Sequence, residues 1–286
     1  MLQQHEAEQI STDQTLKFGL LGQLARRPRW LVGIGADVGG YVFEALALGI
    51  GTLVLVEPIL ATSLLLSLFL GGAINGHYIS RAGWYAAVVL AVGVSVFLYV
   101  VSPTQGIQLA SNHSWLIAAP PIVAFVVACI SVARLTSGSA RAALLGVAAG
   151  TLFGTSAVLT KAFVHYLGGG ILNWVPHWEP YALAVSSITG LVCSQSAFQT
   201  GALAAAVSAE QVLQPLTGVA LGLGLLNEQL EVKGSIGALT LGAALIAMLG
   251  GVLMLARVEK ATDEEHASSL DPPPDLAPPQ ARPAGG

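Results

Sequence analysis

The chain has 286 residues, of which 54% are hydrophobic and only 10% charged, and its formal net charge is −4. That charged share is far below the roughly 25% of ordinary soluble domains, and the mean hydropathy is +0.71, which together exclude a soluble globular protein. Apolar windows near the roughly 20 residues needed to cross hydrocarbon recur along the chain and are continuous rather than alternating, so an all-α polytopic membrane protein is predicted and a transmembrane barrel is not.

In chain order, residues 1–29 contain no continuous apolar core, so no cleavable signal peptide is predicted. Leu16, Leu20, Leu21 and Leu24 share one helical face there, as in a segment lying along the membrane surface. Eight spanning helices are expected near 30–50, 52–71, 83–101, 115–134, 141–165, 179–200, 202–226 and 234–256. Trp30, Trp84 and Trp115 each stand at the start of a span, where indole rings favour the headgroup level. Gly51 and Gly201 mark tight hairpins. These spans form a first transmembrane repeat (30–114), a linker helix (115–140) and a second repeat (141–257).

The first repeat carries three acids in apolar surroundings. Asp37 and Glu44 are seven residues apart and share a helix face, while Glu57 directly precedes Pro58. "GIGADVGG" (33–40) does not fit a nucleotide-binding loop, for it lacks the G-x-G-x-x-G spacing and a preceding strand. In the second repeat, Gly146, Gly150 and Gly154 make a smooth stripe for helix packing. Lys161 ends its helix and is expected to snorkel to the membrane surface, the alternative being a salt bridge to one of the acids. Ser194 and Gln195 fall inside a span, where they could coordinate a polar ligand or bond within the bundle. Glu210 and Gln214, one turn apart, share a face just before Pro215. Each proline lacks a backbone donor and frees a carbonyl one turn back, so Pro58 and Pro215 are expected to kink their helices.

A charged acid at the bilayer centre costs roughly 2.5–3.5 kcal/mol, so four of them uncompensated would cost on the order of 10 kcal/mol. Asp37, Glu44, Glu57 and Glu210 therefore need a wet cavity, a partner or a proton. With Gln214 and Gln195 they are the candidate substrate- or proton-binding residues. Asp37, Glu44 and Glu57 are also the candidate metal ligands if the cargo is a cation. No resident cofactor and no nucleic-acid partner are expected. Cys129 and Cys193 lie in apolar helices as small core residues, and no nucleophile–base grouping points to an enzyme.

Basic residues orient the chain. With the loop before residue 30 in the cytoplasm, ten of the twelve lysines and arginines fall on that side, leaving Lys161 and Lys233. This predicts a plasma-membrane protein with a cytoplasmic C-terminus. Residues 258–286, acidic and then proline-rich, read as a disordered cytoplasmic tail.

A shift of 157 residues lays 41–66 gaplessly on 198–223, with Ala45-Leu46-Ala47 on Ala202-Leu203-Ala204 and Glu57-Pro58 on Gln214-Pro215. Only six of 26 pairs are identical, but the prolines align. The same offset puts Leu2 on Leu159, so a first helix is expected to precede residue 1. With it, one linker helix would separate two four-helix repeats and invert the second, a recurring plan among secondary transporters.

"ALALGIGTLVLVEPIL" (45–60), "LQPLTGVALGLGLLNEQL" (213–230) with Asn227-Glu228 at a helix end, and "GALTLGAALIAMLGGVLML" (237–255) resemble the drug/metabolite transporter superfamily, closest to its EamA-like and NIPA-like branch. The resemblance implies an inverted-repeat bundle moving a small polar metabolite or drug-like solute by alternating access, proton-coupled. A NIPA-like magnesium transporter is the second expectation, and a membrane scaffold recruiting partners through the tail is the third. The repeats pair unevenly, since Glu57 meets Gln214 and Glu228 meets Gly71.

Overall fold

Hydrocarbon offers no partner to a backbone N–H or C=O, so a chain in a bilayer must satisfy these groups within itself. The computed structural model describes residues 28–60, 62–63, 81–100, 102–104, 106–170, 172–231, 237, 239–248, 250–251 and 254. Nearly all of them are helical. The elements are α1 (Pro28–Ile50), α2 (Leu53–Leu60), α3 (Arg81–Val100), α4 (Asn112–Leu135), α5 (Gly138–Gly168), α6 (Glu179–Phe198), α7 (Leu203–Leu225) and α8 (Leu239–Met248). Two three-residue strands, β1 (Ser102–Thr104) and β2 (Gln229–Glu231), pair antiparallel with Ser102 opposite Glu231 and Thr104 opposite Gln229. The N-terminal interfacial segment, Lys233, the tail and most of the second expected span beyond residue 63 lie outside the described residues.

Local chemistry sets several boundaries. Ser111 caps α4 by accepting the Ser114 N–H at 3.1 Å. Pro180 opens α6, where a missing N–H costs nothing. Between α6 and α7 the chain turns at Gly201, whose φ of +73° a side chain would resist.

Among the described residues four helices, α3, α4, α5 and α6, are long and apolar enough to cross a membrane. α7 is as long but carries Glu210, Gln211 and Gln214 in its middle, while α2 and α8 are short as described. The outer faces are greasy: Phe43, Ile50, Tyr99, Leu116 and Leu135 are all more than 70% exposed, as lipid-facing side chains would be.

α5 is the hub, packing on α1, α4, α6 and most extensively on α7. Its hydroxyls fold back onto their own helix, Thr151 Oγ1 donating to Val147 O at 2.8 Å and Thr155 Oγ1 to Thr151 O at 2.8 Å, so buried polar atoms need no water. Gly146, Gly150 and Gly154 face α7 so closely that a Cβ on each would meet the carbonyl oxygens of Ala206, Glu210 and Gln214 at 2.3, 2.5 and 2.4 Å. Cys129 and Cys193 are buried free thiols in one cluster with Val126, Ala148 and Ala149. A second cluster joins α2, α3 and α8 around Val54, Leu90, Phe97 and Met248.

Candidate functional site

α1 presents Tyr41, Glu44 and Leu48 along one face, at the spacing of successive helical turns. Tyr41 Oη is hydrogen-bonded to Thr160 Oγ1 of α5, which fixes that face toward the bundle interior. The chain then turns at Gly51–Thr52 and enters α2, where Glu57 comes one turn after Leu53. Glu44, Glu57, Leu60 and Ser63 line one side of a cavity of about 140 Å³, and Gln211, Gln214 and Pro215 of α7 line the other.

Glu57 is the centre of this arrangement. Its side chain is 1% exposed, and neither carboxylate oxygen has a hydrogen-bond partner among the described residues. It lies flat against Gly218 of α7, where a Cβ would stand 2.6 Å from Glu57 Cγ. A bare buried carboxylate is costly in its charged form, and the cost must be offset by a proton, a cation or water entering from the cavity. The amides of Gln211 and Gln214 can both donate and accept, so the opposite wall suits a polar cargo. Pro58 and Pro215 sit inside their helices beside this cavity, each removing one backbone donor. Glu57 and Gln214, which the 157-residue offset superposes, line the same cavity.

The other candidates fall elsewhere. Glu210 turns toward α6 and accepts the Ser194 hydroxyl at 2.8 Å, so it is not among the cavity-lining residues. The reason is angular: on α7 the cavity takes residues 211, 214 and 215, and Glu210 is one position round the helix from that face. Gln195 is buried within α6 away from the lining. Asp37 is on α1, but its side chain lies outside the described residues. No group of three His, Cys, Asp or Glu side chains arranged to hold a metal occurs among the described residues.

Lys161 corrects the expectation of snorkelling. α5 runs on to Gly168, so residue 161 is about two turns inside the helix rather than at its end. Its Nζ donates to Glu228 Oε1 at 2.8 Å and to Gly51 O at 3.1 Å, with both side chains buried. Glu228 in turn accepts the N–H of Leu53 at Oε1 and of Val54 at Oε2, each at 3.0 Å. It is held in place by its own N–H on Gly222 O at 3.1 Å, by Asn227 in the left-handed region (φ 51°) and by the β1–β2 pairing that follows. Sequence reasoning noticed Glu228 only as a helix-end residue and missed Gln211, although its spacing of three from Gln214 was visible.

No protein-family profile matches the chain. It is 28% identical over 250 residues to an uncharacterized protein of Corynebacterium glutamicum, an alignment that covers 86% of this chain and 85% of that one. No solved structure matches it.

Proposed function

We propose that the protein is a secondary transporter of the drug/metabolite type, an inverted-repeat bundle of about eight spans in the plasma membrane with a cytoplasmic C-terminus. It moves a small polar solute by alternating access and couples that movement to protons. The observation that carries this reading is Glu57, a buried carboxylate with no partner among the described residues, on a cavity that also holds Glu44 and two glutamine amides. A proton or a cargo group neutralises Glu57 in turn, so that loading one displaces the other. The facing of Glu57 and Gln214, equivalent under the internal offset, supports a site between two halves.

A magnesium transporter is the second reading, favoured by the two carboxylates on one cavity. Mg²⁺ is commonly held by one or two carboxylates while keeping several waters. The test is reconstitution into liposomes holding a pH-sensitive and a Mg²⁺-sensitive dye. The first reading expects proton movement only when a metabolite pool is added, and none with Glu57→Gln. Mg²⁺ flux lost in Glu57→Gln would transfer the assignment to the second, and silence with both dyes would sink the two together.

A further inference from the structure

The Lys161–Glu228 pair is buried, touches no cargo-facing surface, and is a costly feature to leave unexplained. Taking two charges out of water offsets most of their attraction, so an apolar pair of similar size would stabilise the fold about as well. What an apolar pair could not do is grip backbone. The Glu228 carboxylate puts one oxygen on the Leu53 N–H and the other on the Val54 N–H, while Lys161 Nζ bridges Glu228 and the Gly51 carbonyl. Two adjacent amides on the two oxygens of one planar group fix the rotation of α2 about its axis as well as its depth. Glu57 is four residues beyond Leu53 and therefore on the same face of the helix, one turn along. Any roll of α2 that carries Glu57 out of the cavity also pulls Leu53 from Glu228.

We propose that Lys161 and Glu228 are positioning residues for Glu57, an ionic clamp on the start of α2 that sets where the Glu57 carboxyl stands in the cavity. The inference rests on the transport reading only for what Glu57 does once it is there. Within its described residues α2 contains Pro58, whose missing N–H removes one of the internal hydrogen bonds that would hold the helix in place. The clamp reaches it from two distant elements, α5 and the turn after α7, and thereby ties the Glu57 side of the cavity to the helix that supplies Gln211 and Gln214.

The test reads the position of Glu57 without any flux. Full-length protein in liposomes is treated with a lipid-soluble carbodiimide, which couples to carboxyl groups in apolar surroundings. Modification at Glu57 and at Glu44 is then followed by peptide mass. The variant is Lys161→Met with Glu228→Gln, which removes both charges and leaves neither unpaired; if it does not fold, Lys161→Ala with Glu228→Ala takes the same measurement. The ratio of Glu57 to Glu44 labelling rates should change by about tenfold in either direction, equivalent to ~1.4 kcal/mol in the balance between settings of α2. Lys161→Arg, which can still bridge Glu228 and the Gly51 carbonyl, should keep the wild-type ratio within about twofold. A neutral double variant that labels like wild type, or an arginine variant displaced as far as the double, overturns the clamp. Altered labelling in liposomes that move nothing would keep the clamp and remove the transporter, whereas unaltered labelling beside intact wild-type flux would do the reverse.

Discussion

Gly218 and Gly150 both admit a close neighbour, but they admit different kinds of atom. At Gly218 the neighbour is the Glu57 side chain, with Cγ and Cδ at 2.6 and 2.7 Å from where a Cβ would be. At Gly150 it is backbone, the Glu210 carbonyl oxygen at 2.5 Å. Gly218→Ala should therefore cost under about 1 kcal/mol of stability while pushing the Glu57 carboxyl aside. Thermal unfolding in detergent would hardly change, yet solute-driven proton movement would fall sharply. Gly150→Ala should do the opposite and destabilise by about 1–3 kcal/mol, because the two helix backbones cannot separate locally. An unchanged melting temperature for Gly150→Ala would contradict the backbone contact. Of the residues that make the cavity, Glu44, Glu57, Gln214 and Pro215 were legible in the sequence, because an acid, an amide or a proline stands out in an apolar run. Glu210 stood out equally and faces elsewhere, since composition marks a residue and only the helix phase aims it.

Among the elements, α2 depends most on others. Its first amides bond to Glu228 and its side chains pack on α7, so contacts with other elements set its place. Lys161→Met alone leaves the Glu228 carboxylate buried without its countercharge, and Glu228→Gln alone leaves the Lys161 ammonium so; each should cost about 3–5 kcal/mol. The two together should recover most of that loss, which a double-mutant cycle on detergent-solubilised protein would read as a strong coupling. Additive losses would mean that the pair does not act as a unit. Hydropathy placed the long helices well: α5, expected over 141–165, runs Gly138–Gly168, and α6, expected over 179–200, runs Glu179–Phe198. It erred where the ends mattered. Three added residues at the end of α5 turned a surface lysine into an interior one, and the ionic clamp hung on that difference.

For the whole molecule, the hub role of α5 divides labour between a firm centre and a hairpin clipped to it. α5 and α7 meet backbone to backbone along the glycine stripe, whereas α1 and α2 join that centre through an apolar cluster of Leu48, Leu53 and Val56 with Val158 and Leu225 and through polar contacts, Tyr41 to Thr160 and Glu228 to the α2 amides. Deleting residues 258–286 should leave flux in the dye-loaded liposomes unchanged, since every described residue that lines the cavity precedes residue 216. Loss of flux on that deletion would favour the scaffold reading, in which the tail does the recruiting.

The contacts that complete α2 also impose an order on its making. The carboxylate that receives its first two amides is 175 and 174 residues further along the chain. At about 5–20 residues per second, the ribosome delivers Glu228 roughly 10–35 s after Leu53 has been made. For that interval the first hairpin exists without its anchor. The Glu57 side of the cavity is thus built early and finished late, and a nascent chain stopped short of residue 228 contains every cavity residue but not the group that sets Glu57 among them.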